Sequence, residues 1–205
     1  MKFTISPIQL ESRGIKDQKV LQAIRQIPRE LFVPKNYREV AYTDRALPID
    51  CGQTISQPFI VAYMTEKLQL KPSDKVLEIG TGSGFQTAVL AQLVKEVYTI
   101  EIYSELSQKA QKLLTQLGYQ NIFYYQGDGN LGWPEKKEFE AIILTAASKQ
   151  IPKTLLEQLK TTGKMILPLE INSGEQILYL IKKLPQGKGK LQSTPLLPVR
   201  FVPLL

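Results

Sequence analysis

Histidine is absent from this chain of 205 residues. Its absence removes the side chain that most often exchanges protons near neutral pH. Ser-His-Asp triads and nearly all histidine-based metal sites go with it. There is a single cysteine, Cys51, so no internal disulfide can form, and a reducing cytoplasm is the simplest compartment. Long hydrophobic runs are missing as well. The longest, Phe59 to Met64, falls far short of the roughly 20 apolar residues of a membrane-spanning helix. Pro7, Gln9 and Glu11 interrupt the stretch where a secretory signal would need its apolar core.

What is present is an ordinary globular composition, 43% hydrophobic and 22% charged, suited to one domain with a modest appendage. The net charge of +7 raises the question of a nucleic-acid surface. Yet the lysines are spread along the chain. The densest group, Lys182, Lys183, Lys188 and Lys190, reads as a strand end followed by a glycine-rich hairpin loop. Solvated surface is therefore the expectation, with no nucleic-acid or membrane partner, no metal, and a monomeric chain.

Val20, Leu21, Ile24 and Ile27 recur at helical spacing after a candidate cap, Asp17, and Pro28 closes the segment. Residues 44–58 are turn-rich, and 59–70 return to helical periodicity. Strands at 76–80, 97–101, 122–125, 140–145 and 164–169 then alternate with helices at about 85–94, 104–117 and 152–160. A hairpin-like pair near 176–183 and 196–203 follows. Such alternation predicts an α/β fold with a doubly wound, mostly parallel sheet flanked by helices. Residues 1–70 form an N-terminal helical appendage, 71–170 a ligand-binding core and 171–205 the C-terminal strands.

The stretch VLEIGTGSG, Val76 to Gly84, carries the most information. A buried strand runs into glycines where backbone must approach a ligand closely. An acid, Glu101, follows 21 positions after Gly80, at the end of the next apolar run. A dinucleotide fold uses G-x-G-x-x-G, but Phe85 stands where its third glycine belongs. No Gly-Lys-Ser/Thr follows, which removes a Walker-type phosphate loop. The pattern E-x-G-x-G-x-G, from Glu78 through Gly80 and Gly82 to Gly84, resembles motif I of the S-adenosylmethionine-dependent methyltransferases. That resemblance implies a donor held by Thr81, Ser83 and the three glycines, with Glu101 accepting from both ribose hydroxyls and Ile102 beside it. Asp128 and Gly129, in the loop after the third strand, would face the adenine. Plainer readings stand beside these: Glu78 as a solvated strand-end charge, Glu101 as a helix-capping acid, Asp128 as an Asp-Gly turn residue.

The methyl acceptor is narrowed by exclusion. Exocyclic-amine methylation usually shows an Asn/Asp-Pro-Pro-Tyr/Phe motif after the fourth strand, where this chain reads LTAAS, Leu144 to Ser148. Cytosine methylation at carbon needs a cysteine in a Pro-Cys setting, which Cys51 lacks. Methylation of oxygen remains. The segments PRELFVP (28–34), ALPIDCGQTISQPFIVAYMTEKL (46–68), VLEIGTGSGFQTAVLAQLV (76–94), GDGNLGWPE (127–135), FEAIILTAAS (139–148), IPKTLLEQLKTTGKMILPL (151–169) and VRFVPL (199–204) resemble the protein-L-isoaspartate O-methyltransferase family, in order and over nearly the whole chain.

The resemblance implies a Rossmann-like class I methyltransferase fold and methyl transfer from S-adenosylmethionine to the free α-carboxylate of L-isoaspartyl residues in damaged proteins. The ester then closes to a succinimide, which opens partly to normal aspartate. An α-carboxyl ionises near pH 3.5, roughly, so the nucleophile is already charged and no histidine base is required. By the same resemblance Ser56 is the active-site serine, donating to one carboxylate oxygen while the other attacks. Gln53, Thr54 and Ile55 cover the donor, and Phe201, Val202 and Pro203 wall the peptide groove, offering backbone hydrogen bonds. Local sequence alone would also read Ser56 as a turn or N-cap residue ahead of Pro58. Asp50, Cys51, Phe85, Asn130 and Glu170 depart from the family's usual residues. Two other readings stay open here: a carboxyl O-methyltransferase serving one dedicated peptide, and a donor-binding relative without activity.

Overall fold

The computed structural model describes residues 7–172, 174–185 and 190–205. The glycine-rich loop expected around Lys188 lies outside them. Helix α1 (Pro7–Glu11) leads into α2 (Gln18–Gln26), where the Asp17 carboxylate accepts from the Lys19 and Val20 N–H groups. That cap is the expected one, and Val20, Leu21, Ala23 and Ile24 form the buried face. The turn-rich segment that follows is three short 3-10 helices, Arg29–Phe32, Lys35–Val40 and Asp50–Gly52, and a two-stranded ladder of β1 (Leu47–Pro48) and β2 (Thr54–Ile55). Helix α3 (Pro58–Leu68) starts on its proline, whose missing N–H costs nothing at that position.

The main sheet then builds from β3 (Lys75–Ile79), α4 (Phe85–Ala91), β4 (Glu96–Glu101), α5 (Ser104–Gln116), β5 (Ile122–Gln126), β6 (Phe139–Leu144), α6 (Lys153–Gln158), β7 (Leu159–Asn172), β8 (Glu175–Lys183) and β9 (Leu191–Val199). Its strand order is β5-β4-β3-β6-β7-β8-β9, parallel through β7 and antiparallel beyond. The expected α/β fold, doubly wound and mostly parallel, is what forms. Strands β3 and β6 lie at the centre with apolar groups buried on both faces, which is why they read as continuous hydrophobic runs instead of alternating ones. The direction of winding reverses between them, and the ends of these two strands are where such sheets bind ligands.

Two expectations shift. The structure ends α6 at Gln158 and starts β7 at Leu159, with a register break between the Phe139 and Ala141 pairings that absorbs residues 160–163. The second hairpin strand lies earlier than 196–203, because Pro195 and Pro198 are tolerated on an edge strand that has no further partner to serve. Residues 200–203 are thereby freed from β9. They cross to the segment just after β6, where the Ala147 N–H donates to the Val202 carbonyl at 2.8 Å and Pro203 bridges Ala147.

Candidate functional site

A cleft opens at the carboxyl ends of β3, β4 and β6, where doubly wound sheets bind their ligands. Its floor is the glycine loop. Gly80 has φ +97, and a Cβ there would stand 2.3 Å from the Thr145 hydroxyl, which itself donates to the Gly80 carbonyl at 2.6 Å. Gly80→Ala is therefore expected to destabilise the protein by about 2–4 kcal/mol, from left-handed strain and the clash together. Adding Thr145→Ala relieves the clash but not the strain, so denaturant titration should show partial recovery. Full recovery would assign the whole loss to the hydroxyl.

Glu101 is 5% exposed on the cleft wall. One of its oxygens accepts from the Gly82 N–H at 2.8 Å and the other from the Tyr103 N–H at 3.0 Å. Each oxygen keeps a further lone pair, so two hydroxyls of a diol can still be bound. The capping reading of this residue is thus partly true, and it is compatible with the ligand role. Thr81, Ser83, Ile102 and Gly129 line the cleft as expected.

Four expected residues sit elsewhere. Glu78 is 0% exposed and not on the wall. One of its oxygens accepts from Thr87 at 2.6 Å and Thr99 at 2.7 Å, and Thr99 meets the Thr81 hydroxyl at 2.6 Å. It braces the loop from below, and it is not a solvated strand-end charge. Gly84 has φ +86 and faces Ala110 and Leu114 of α5, so helix packing demands it. Asp128 lies between the lining residues Gly127 and Gly129, and its Oδ1 accepts from the Asn130 N–H and side-chain amide at 2.8 and 2.9 Å. Phe201 lines a neighbouring groove, and its N–H and carbonyl are both taken by the Gln176 side chain. Phe201 thus supplies wall, and its expected backbone bonds to a peptide are already spent internally.

Glu78 has a consequence for pH. Burial pushes its carboxyl up to about 8, with Glu101 adding to the rise and the two threonine hydroxyls opposing it. The folded protein holds this proton more tightly than an unfolded chain with a value of 4.5. The associated stability is complete below that value and is lost as pH rises through about 8. Glu78→Gln removes the titration, so between about pH 6 and about pH 9 the denaturant midpoint should fall more in the wild type than in the variant. An equal fall in both would place the titration elsewhere.

Ser56, like Thr54, lines both this cleft and a neighbouring groove whose walls include Gln57, Ile60, Arg200 and Phe201. Gln53, Thr54 and Ile55 also border the donor-side cleft, and Val202 and Pro203 close its opposite side. The capping alternative for Ser56 fails. The residue before α3 is Gln57, which makes no side-chain cap bond, and Asp44 reaches from 15 positions away to accept the Phe59 N–H at 2.9 Å. Asp44, Thr99, Thr145 and Gln176 support the site without any local sequence signal. Their partners are 13 to 66 residues distant.

A family model described as Protein-L-isoaspartate(D-aspartate) O-methyltransferase (PCMT) matches residues 7–205. Protein-L-isoaspartate O-methyltransferase 2 of Pelobacter propionicus is 51% identical over 197 residues, 96% of this chain and 87% of its own length. The protein-L-isoaspartate O-methyltransferase of Dictyoglomus turgidum is 53% identical over 195 residues, 95% of this chain and 87% of its own. Among solved structures, a Plasmodium falciparum protein described as a protein-L-isoaspartate O-methyltransferase in complex with S-adenosyl-L-homocysteine superposes with a TM-score of 0.83 at 26% identity, covering 97% of this chain and 96% of that one. Another protein-L-isoaspartate O-methyltransferase gives a TM-score of 0.85 at 29% identity, covering 96% and 64%.

Proposed function

Since the chain belongs to the protein-L-isoaspartate(D-aspartate) O-methyltransferase family, and is thus an S-adenosylmethionine-dependent enzyme acting on L-isoaspartyl residues of proteins, we propose that its methyl transfer takes place where the two clefts meet at Ser56. That shared serine is the observation that carries the reading. One cleft suits the donor and the other an extended peptide, and Ser56 is lined up with both.

The residues present fit S-adenosylmethionine. A floor of positive-φ glycine admits no side chain, and a nearly buried carboxylate with spare lone pairs suits a ribose diol. When bound, the donor supplies a sulfonium-activated methyl group, which becomes the methyl of the product ester. Glu101 holds the ribose end, Gly80 to Ser83 cradle the amino-acid end, and Gln53, Thr54 and Ile55 cover the donor and exclude water. Asp128, off the cleft wall and with Oδ1 committed to Asn130, has only its second oxygen to offer the adenine. The substrate carboxylate arrives ionised, so Ser56 need not be a base. Its hydroxyl donates to one carboxylate oxygen and leaves the other aimed at the methyl group. Val202 and Pro203 border the acceptor from the far side, and with Phe201 tied to Gln176 the Val202 N–H is the donor left for the peptide backbone.

The partners we assign are isoaspartyl-containing proteins, with no nucleic acid, because the positive charge is dispersed. We also assign a monomer, and a cytoplasmic setting consistent with one free thiol, Cys51. Among the described residues no helix is long and apolar enough to cross a membrane. The test is labelled S-adenosylmethionine incubated with matched peptides containing L-isoaspartate or normal L-aspartate. Label is expected on the first alone. Equal labelling would sink the repair assignment, and labelling of neither, with donor binding seen by calorimetry, would mark a binding protein without activity.

A further inference from the structure

Arg29 heads the fully buried side chains of the structure by volume, and it is 0% exposed. It belongs to the 3-10 helix Arg29–Phe32, far from the glycine loop in sequence. Its hydrogen-bond partners are carbonyls. Nε donates to the Ala41 carbonyl at 2.9 Å, and one terminal nitrogen donates to the Ser56 carbonyl at 2.8 Å and to that of Arg45 at 3.5 Å. The other terminal nitrogen has no partner. The guanidinium rests 4.7 Å from the ring centre of Phe85, the first residue of α4 and part of the donor-side cleft.

For stability alone this is a poor use of a charge. An apolar side chain of equal volume would avoid the desolvation, which here pushes the group down to about 9 despite Asp44 and Tyr42 pulling the other way. What an apolar side chain could not do is accept the burial and still tie together the carbonyls of Ala41 and Ser56, with that of Arg45 at longer range. A rigid guanidinium fork can, and an ammonium group cannot do it with the same geometry. The segment so gathered ends at Ser56.

We propose that Arg29 is the positioning residue of the methyl-transfer site, setting Ser56 through its carbonyl and locking that loop to α4 through the face of Phe85. The inference rests on the role assigned to Ser56.

The test is a double-mutant cycle of Arg29→Lys and Ser56→Ala. It is read by kcat on an L-isoaspartyl peptide, by calorimetric affinity for S-adenosylhomocysteine and by denaturant unfolding. Arg29→Lys is expected to lower kcat about tenfold when Ser56 is present and less than about twofold when it is alanine, because the hydroxyl being positioned is then gone. Equal losses in both backgrounds, or an unchanged kcat in Arg29→Lys, would overturn the inference. Should Arg29→Lys not fold, Arg29→Gln, which keeps two donors without the charge, takes its place with the same outcomes. An impaired Ser56→Ala with additive losses removes this inference only. An unimpaired Ser56→Ala removes the serine reading and this one with it.

Discussion

Replacing Ser56 by alanine is expected to lower kcat on an L-isoaspartyl peptide about 100-fold while moving the dissociation constant of S-adenosylhomocysteine less than about threefold. The asymmetry follows from where the residue stands. Ser56 borders both clefts, but on the donor side it is one of many lining residues. On the acceptor side its hydroxyl is the group we propose to orient a charged oxygen, and a misaligned carboxylate would meet the methyl group off line. Nor should the substitution disturb the helix that follows, since Asp44 supplies the cap and the Ser56 carbonyl still receives Arg29. Steady-state kinetics with calorimetry on the same preparations decide the matter. A large loss of donor affinity with unchanged turnover at saturation would contradict the assignment.

Glu101→Ala should do the opposite. Donor affinity is expected to weaken by about 1.5–3 kcal/mol, roughly 10- to 150-fold, from the loss of charge-assisted hydrogen bonds to the ribose. The structure adds a second component. The same carboxylate holds the Gly82 and Tyr103 N–H groups, so its removal also leaves two backbone donors without their partner. Glu101→Gln separates the two effects only partly, because its amide nitrogen would point at one of those donors. Calorimetric titration of S-adenosylhomocysteine, alongside unfolding of the free protein, distinguishes them. Unchanged affinity in Glu101→Ala would mean that the ribose is held elsewhere.

Much of the site was legible because its residues lie in contiguous stretches whose spacing has a geometric meaning. The run Gly80 to Ser83 and the acid at the end of the next strand fall at adjoining strand ends of a parallel sheet, and parallel strands with helical crossovers leave few other arrangements. The order GQTIS, with Ser56 at its close, likewise lands on the cleft. Three expectations failed for one shared reason: a residue's partners are not visible along the chain. Glu78 looks like Glu101 in sequence, both acids ending apolar strands, yet one is sealed beneath Thr87 and Thr99 and the other borders the cleft. Gly84 belongs to the same glycine pattern as Gly80, but α5 is what it makes room for. Phe201 sits in the segment that walls the groove, and only the fold shows that Gln176 has already taken its backbone groups.

By itself the amino-acid order determined the sheet and the glycine loop, because hydrophobic periodicity and glycine act locally, whereas the kind of chemistry came from the resemblance of its segments to a known family. The tertiary structure decided which acid borders the cleft, which residue caps the helix behind Ser56, and that a buried arginine gathers three carbonyls around it. These are long-range pairings of polar groups, and once water is excluded every such group must find its partner wherever the fold brings one within reach.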